Sequence, residues 1–273
     1  MTVDVLIPTY RRPVPLAVTL ASLVGQTFTS FRVVISDQSE DFDIAGDPAV
    51  VSVLRVLHAL GREVEVHKHL PRRGMAEQRR FLLEQCRARY ALFLDDDVIL
   101  EPRVLERLVS VIEREGCGFA GGAVIGLSHL HDERPDEQQV ELWGGRVEPE
   151  EVVPDGPGWE RWRLHNAANP WHIQQRLGLS TNSEPQAYRV AWVGGCVLDD
   201  VEALRDVGGF SFWRELPVDH AGEDVLAQLR VMRRYGGCGV LPSGAFHQER
   251  ETTIHDRRVD AARMLLVEPP GQK

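Results

Sequence analysis

Over the first 125 residues, short apolar runs alternate with longer amphipathic stretches, and this rhythm constrains the chain more than any other feature. The strand candidates are Val3–Ile7, Arg32–Ser36, Glu63–Lys68, Tyr90–Leu94 and Gly118–Val124, with helix-length segments at 14–25, 48–60, 75–89 and 102–115 between them. Pro13, Gly61 and Gly116 punctuate the boundaries, as residues that stop or start helices do. Such alternation builds a parallel sheet with crossover helices. Right-handed crossovers put every strand's C-terminal end along one edge of the sheet, and in open α/β sheets ligands bind at that edge.

Residues 126–190 break the rhythm with a polar, Pro- and Gly-rich insert; a strand is expected again at Ala191–Leu198, a helix at 222–235 and a strand at 239–247. The tail Glu268–Lys273 reads as frayed. All six tryptophans (Trp143, Trp159, Trp162, Trp171, Trp192 and Trp213) fall between 143 and 213. Aromatic faces pack on the C–H face of sugars, so this window reads equally as a sugar-binding wall or as a cover for the sheet.

Composition removes several classes of function. The formal charge of -10, from 31 basic and 41 acidic residues, supplies no cationic face for a nucleic-acid backbone. Lys68 and Lys273 are the only lysines; the remaining basic residues are arginines, suited to forked contacts with phosphate oxygens. Cys86, Cys117, Cys196 and Cys238 lie too far apart in sequence for a zinc motif and read as reduced, packed thiols. The start Met1-Thr2-Val3-Asp4 lacks signal-peptide character, and no uncharged apolar run reaches the roughly 20 residues of a membrane helix. The expectation is a cytoplasmic protein without a transmembrane segment, with peripheral membrane contact left open.

Chemistry concentrates at strand ends. Tyr90–Leu94 runs directly into Asp95-Asp96-Asp97, so three carboxylates meet at the ligand edge, where they repel one another without a cation. Mg²⁺ and Mn²⁺ suit such a place, because one or two carboxylates plus substrate phosphates suffice to hold them. Along an extended segment Asp95 and Asp97 face one way and Asp96 the other. A solvated acidic strand end is the plain alternative. A helix-loop-helix calcium site fails because the sixth loop position is Leu100 where glycine is required. A phosphatase with an aspartate nucleophile lacks its downstream lysine, Lys273 being the only one after Asp97.

Three further turns converge on the same edge. Ile7-Pro8-Thr9-Tyr10-Arg11-Arg12-Pro13 leads into a helix, where backbone N–H groups and an arginine, assigned to Arg12, meet a nucleotide. Ser36-Asp37-Gln38-Ser39 offers Asp37 as acceptor for a base N–H or a sugar hydroxyl, and Gly74–Arg80 opens a helix that carries Arg79 toward the nucleotide. Ordinary turn and cap chemistry accounts for each of these alone; their place in consecutive βα turns is what links them.

In this order and spacing these stretches resemble the glycosyltransferase family 2 members of the GT-A fold, across residues 2–125 and 190–250. The resemblance implies an α/β, Rossmann-like, mostly parallel sheet flanked by helices, with an irregular acceptor-side insert. It divides the chain into a nucleotide-sugar-binding region (1–125) and an acceptor-binding, catalytic region (126–273) within one continuous domain. By the same resemblance Pro8, Thr9, Tyr10, Asp37 and Arg79 line the nucleotide pocket, Asp95 contacts the ribose and Asp97 ligates the metal. Asp96 joins the nucleotide-side set without a separate role. Positions 11 and 80 are arginine, departing from the family pattern.

The later motifs extend the resemblance. Trp192-Val193-Gly194-Gly195-Cys196 and Val207-Gly208-Gly209-Phe210 look like the acceptor-side strand and the turn after its helix, and Ala221-Gly222-Glu223-Asp224 like the acidic motif at a helix start. Asp224 is implied as the base that deprotonates the acceptor hydroxyl, with Glu223 beside it, although carboxylates also cap helix N-termini. His247 is implied as a second metal ligand, and imidazole tilts the metal toward Mn²⁺ over Mg²⁺. The implied reaction is metal-dependent transfer of a sugar from a nucleotide-diphosphate sugar to an acceptor hydroxyl, with inversion. UDP-sugars are favoured over GDP- or dTDP-sugars through Asp37. A silent sugar-nucleotide-binding protein and a nucleotidyltransferase on a related fold remain alternatives; the second lacks its glycine-rich, basic loop after strand one.

Overall fold

The computed structural model describes residues 2–253 and 257–266; the tail Glu268–Lys273 lies outside them. Nine helices and strands build its first part: β1 (Val3–Thr9), α1 (Pro13–Val24), β2 (Phe31–Asp37), α2 (Pro48–Ala59), β3 (Val64–Lys68), α3 (Met75–Gln85), β4 (Tyr90–Leu94), β5 (Val98–Leu100) and α4 (Val104–Glu115). There follow β6 (Phe119–Gly121), α5 (Asn169–Arg176), β7 (Gln186–Tyr188), β8 (Cys196–Asp200) and α6 (Val201–Asp206). The described chain closes with α7 (Glu223–Tyr235), β9 (Gly237–Leu241), β10 (Ala245–His247) and α8 (Ala261–Leu265). No helix among the described residues is long and apolar enough to cross a membrane.

Eight strands form one sheet in the order β3-β2-β1-β4-β8-β6-β9-β7, and β10 pairs with β5 in a separate two-stranded ribbon. The strands β3, β2, β1 and β4 are parallel, as are β6 and β9, whereas β8 runs antiparallel to β4 and β6. The strands expected in the first 125 residues, β1 to β4 and β6, thus share one direction, while β8 enters against them, and its start rather than its end reaches the ligand edge. There Asp95 N donates to Gly195 O at 2.9 Å.

Alternation along the strands splits the core. Val3, Val5 and Ile7 of β1 pack with Leu16 and Leu20 of α1 and with Leu105 and Leu108 of α4. Leu6 packs on the opposite face, which α3, α6 and α7 cover with Leu82, Leu204 and Leu229. Each such fully buried aliphatic side chain contributes about 1.5–3 kcal/mol. Asp4, the single charged residue of β1, is buried against its register partner Arg32.

Several predicted boundaries move for identifiable reasons. The helix expected to reach residue 89 stops at Gln85, because Arg87 N and Ala88 N donate instead to Asp4 Oδ2. The strand expected at Ala191–Leu198 begins only at Cys196, since Val193 exchanges both backbone bonds with the Gln228 side chain rather than with a neighbouring strand. The single strand expected at 239–247 is two, β9 in the large sheet and β10 in the ribbon. The insert is mostly irregular, but its last part supplies the edge strand β7 to the main sheet.

Candidate active site

The acidic strand end closes one wall of a cavity of about 500 Å³. A larger groove, about 970 Å³ beside α7 and α8, is lined by Val152, Val207, Leu229 and Leu266 with three arginines and lacks a catalytic constellation. Chemistry belongs to the smaller space. Pro8, Thr9, Tyr10, Arg12, Arg79, Asp95, Asp96, Asp97, Glu223, Asp224 and His247 all line it. Of the sequence-predicted site residues, Asp37 alone is not in that lining. It is buried at the end of β2, beside Thr9 in register, where Ser39 N (2.8 Å), Ile44 N (3.5 Å) and Lys68 Nζ (2.9 Å) donate to its carboxylate.

The three aspartates of the motif differ sharply. Asp96 points inward, accepting from Thr9 Oγ1 at 2.6 Å and Arg12 Nη1 at 3.2 Å, while its carbonyl accepts from Thr19 Oγ1. Burial pushes its pKa up to about 7 against the lowering effect of Thr9 and Arg12. Asp97 accepts from Arg12 Nη1 at 2.7 Å, and His247 Nε2 lies 3.4 Å from the same carboxylate oxygen. The β10–β5 register makes that meeting possible by placing His247 opposite Val98. Arg11, at φ 56°, turns away to Asp41 and Ser39, so Arg12 is the arginine that enters the cavity.

Asp97 and His247 supply two donors of the kind Mn²⁺ takes, one carboxylate and one imidazole. Among the described residues no cluster of three or more His, Cys, Asp or Glu converges as a complete cage; a substrate diphosphate fills the remaining positions in such sites. His247 Nδ1 accepts from Glu249 N at 2.8 Å, which leaves the proton on Nε2. Ligation through Nε2 therefore requires the ring to move that proton and Glu249 N to release Nδ1.

Opposite this pair, Arg79 bridges two acids: Nε donates to Glu223 Oε1 and Nη2 to Asp95 Oδ1, both at 3.0 Å. Burial opposes its charge, but Asp95, Glu223 and Asp224 outweigh it and raise its pKa. Glu223 is raised by burial against Arg79. Asp224 is pushed up to about 7, by burial first and then by Glu223. Its hydrogen bond is to the adjacent Val225 N. Glu223 is thus tied to an arginine, while Asp224 keeps an oxygen for the cavity.

Fold and site are held to each other by polar ties. Gly74, φ 97°, starts α3 where an added Cβ would lie 2.5 Å from Val218 O. His220 then accepts from Ala76 N and donates to Pro217 O, fixing α3 to the segment before α7. Gln78 binds the carbonyls of Thr9 and Ser36, at the ends of β1 and β2. Gly195 sits at φ 76°, and a Cβ there would meet Val124 Cγ2 at 2.8 Å and approach Asp95 Oδ2. Gly195→Ala is expected to destabilise the chain by about 1–3 kcal/mol, measured by urea unfolding.

Sequence reasoning missed one wall. Arg250, Thr252, Thr253 and Arg257 line the cavity from the segment after β10, and Arg12 Nη2 donates to Glu251 O. Two arginines and paired threonines just beyond His247 were the available signal. Nothing local shows that this segment folds back, which depends on the contacts of Ala221 with Val259, Asp260 and Ala261.

The central sheet, its helices on both faces and the acid-lined strand end define the GT-A class of glycosyltransferase folds. Residues 4–147 match the family model described as Glycosyl transferase family 2, and the chain belongs to that family. The match ends before Glu223, Asp224 and His247. No curated protein sequence matches the chain. Among solved structures, S. aureus TarS 1-349 is similar at TM-score 0.56 and 14% identity, covering 90% of this chain and 60% of that one. TarS 1-349 in complex with UDP-GlcNAc gives TM-score 0.54 at 16% identity, covering 93% and 60%. The mannosyltransferase PcManGT from Pyrobaculum calidifontis, in complex with GDP-Man and Mn²⁺, gives 0.54 at 15%, covering 93% and 58%. The chain thus spans about 60% of the length of TarS 1-349.

Proposed function

We propose that this protein transfers a sugar from a nucleotide-diphosphate sugar to an acceptor hydroxyl, with metal assistance and inversion at the anomeric carbon. The observation that carries this reading is the arrangement of one cavity. Cationic Arg12 and the Asp97–His247 pair face an Arg79-held acid pair whose Asp224 retains an open oxygen. The UDP-GlcNAc bound to TarS and the GDP-Man and Mn²⁺ bound to PcManGT support the same class of donor.

In this reading Pro8, Thr9 and Tyr10 seat the nucleoside, and Asp37 acts from the end of β2 by fixing Lys68 and the turn that follows. Asp95 meets the ribose. Asp97 and His247 would hold a divalent metal, Mn²⁺ before Mg²⁺, which when bound neutralises charge growing on the leaving diphosphate. Arg12 is then free to turn from Asp97 toward phosphate oxygens, a contact to which its fork is suited. Asp224 accepts the acceptor's hydroxyl proton as that oxygen bonds to the anomeric carbon and the bond to the diphosphate breaks. Arg79 orients Glu223 and Asp95 and keeps the acid cluster from repelling itself apart.

A donor screen by thermal shift tests the reading. UDP-, GDP- and dTDP-sugars are added with and without Mn²⁺, UDP-sugars being expected to act first. At a hundredfold excess over Kd a bound donor stabilises the fold by about 2.7 kcal/mol, a Tm rise of roughly 5–10 °C. The Mn²⁺-dependent part should disappear in Asp97→Asn. No shift with any donor, and no nucleotide release in any metal, would sink the transferase reading. Donor binding without turnover would leave the silent binding protein.

A further inference from the structure

A second cavity, about 320 Å³, opens beside the first and shares Asp95, Gly194, Gly195 and His247 with it. Its remaining lining includes Trp162, Trp192, His165 and Asn166, three of them from the insert that follows residue 126. Both indoles are half-buried, and the Arg163 guanidinium lies 5.7 Å from the Trp162 ring centroid. The other tryptophans do different work. Trp159 backs Trp192 at 4.7 Å between ring centroids, and Trp143 packs on the core under Arg189 at 3.7 Å.

The polar groups that belong to this space alone, His165 and Asn166, are neutral and fixed; Asp95, shared with the first cavity, is held by Arg79. His165 bonds the Tyr188 hydroxyl at 2.9 Å, and burial lowers its pKa to about 4, so it is uncharged near neutral pH. Asn166 donates its amide N–H to Glu137 at 2.9 Å, leaving its amide oxygen without a protein donor among the described residues. Among the described residues no arginine or lysine lines this cavity, whereas Arg12, Arg79, Arg250 and Arg257 all line the first. An anionic diphosphate donor therefore belongs in the first cavity. The second offers aromatic faces with neutral hydrogen-bonding groups at their edge, the chemistry that holds the C–H face and hydroxyls of a sugar ring.

Building on the transferase reading, we propose that this cavity is the acceptor subsite and that the acceptor is a saccharide, gripped by Trp162 and Trp192. Gly194 and Gly195 form the floor common to both cavities, so no side chain from these positions stands between a seated sugar hydroxyl and Asp224. The hold of Gln228 on both backbone groups of Val193 sets that floor against the second turn of α7.

The test uses the full chain and four probes: maltotriose, cellotriose, chitotriose and mannotriose. Binding is followed through the indole N–H resonances in ¹⁵N-labelled protein. At millimolar probe, at least one trisaccharide is expected to move the Trp162 and Trp192 resonances while leaving Trp143, Trp171 and Trp213 in place. In Trp162→Ala its affinity should fall about tenfold, and Trp162→Phe should recover most of it. If all four leave both wild-type indoles unmoved, the proposal is overturned. It is overturned equally if a UDP-sugar moves both indoles and no trisaccharide does, since the cavity would then seat the donor's own sugar. The transferase reading stands or falls separately, on the donor thermal shift.

Discussion

Asp224→Asn is expected to lower kcat by about 10³-fold while the chain stays folded and still binds its donor. Loss of a positioned general base typically costs 10²- to 10⁴-fold, and the amide keeps the shape of the carboxyl while removing its capacity to take a proton. Glu223→Gln tests the neighbour, whose carboxylate is engaged by Arg79 at 3.0 Å; its effect should come through Arg79 and be smaller. Wild-type kcat/KM should climb as pH rises and level off above about 7, because Asp224 must lose its proton to act and its pKa is pushed up to about 7. The acidic limb should vanish with Asp224→Asn. Turnover that survives the substitution unchanged would remove Asp224 from the mechanism.

The same shift has a stability consequence with a defined sign. A carboxyl whose folded pKa is raised above its unfolded value favours the protonated native state, so stability falls as pH climbs from about 4 to about 7. Asp224 and Asp96 both behave this way. Asp224→Asn removes one such group and should unfold at a temperature equal to or above wild type at pH 8. A folded, slightly stabilised and nearly inactive variant separates catalysis from structure.

Arg32→Met should produce the largest loss of stability, about 3–5 kcal/mol, or a Tm drop of roughly 10 °C. Arg32 donates to both oxygens of Asp4 (2.9 and 2.7 Å), to Glu65 and to Gln85 O, at full burial beneath the sheet. Without it, Asp4 keeps only Arg87 N and Ala88 N. Burial alone would raise the pKa of Asp4, but Arg32 and those two N–H groups overcome it and hold the value below the ordinary carboxylate. That stabilisation is complete above the unfolded pKa and is lost as pH falls through the folded one. Arg32→Met should therefore cost less in acid than at pH 7. Joint replacement with Asp4→Leu should recover much of the loss, since it removes the uncompensated charge. Equilibrium urea unfolding of wild type and the two variants reads both effects; a cost for Arg32→Met that does not change between pH 7 and acid would refute the pairing energetics.

The two members of this pair were visible in the chain as charges within apolar runs, although their pairing was not. Asp4 and Arg32 each occupy the second position of a strand otherwise dominated by apolar residues, and parallel pairing puts them side by side. The strand and helix order was legible, because period and punctuation lie within a window of a dozen residues. Boundaries were less so where side chains from far along the chain captured backbone groups, as Asp4 does after α3 and Gln228 does before β8. The antiparallel entry of β8 was invisible, since an apolar run reads the same in either direction.

The candidate site divides on the same principle. Asp95-Asp96-Asp97 at the end of an apolar run determined, without any structure, where charge gathers. The tertiary structure distinguished the three: Asp96 faces Thr9, Asp97 meets His247 and Asp95 meets Arg79. It also turned Arg11 away while keeping Arg12 in the cavity, left Asp37 out of the lining, and added Arg250 and Arg257 to it. Arg79 lies 144 residues from Glu223, and Arg12 lies 85 from Asp97. Periodicity along the chain is set by neighbours and survives in the sequence. Which charge meets which is set by chain segments brought together only when the sheet closes, and burial then decides which of those charges persists.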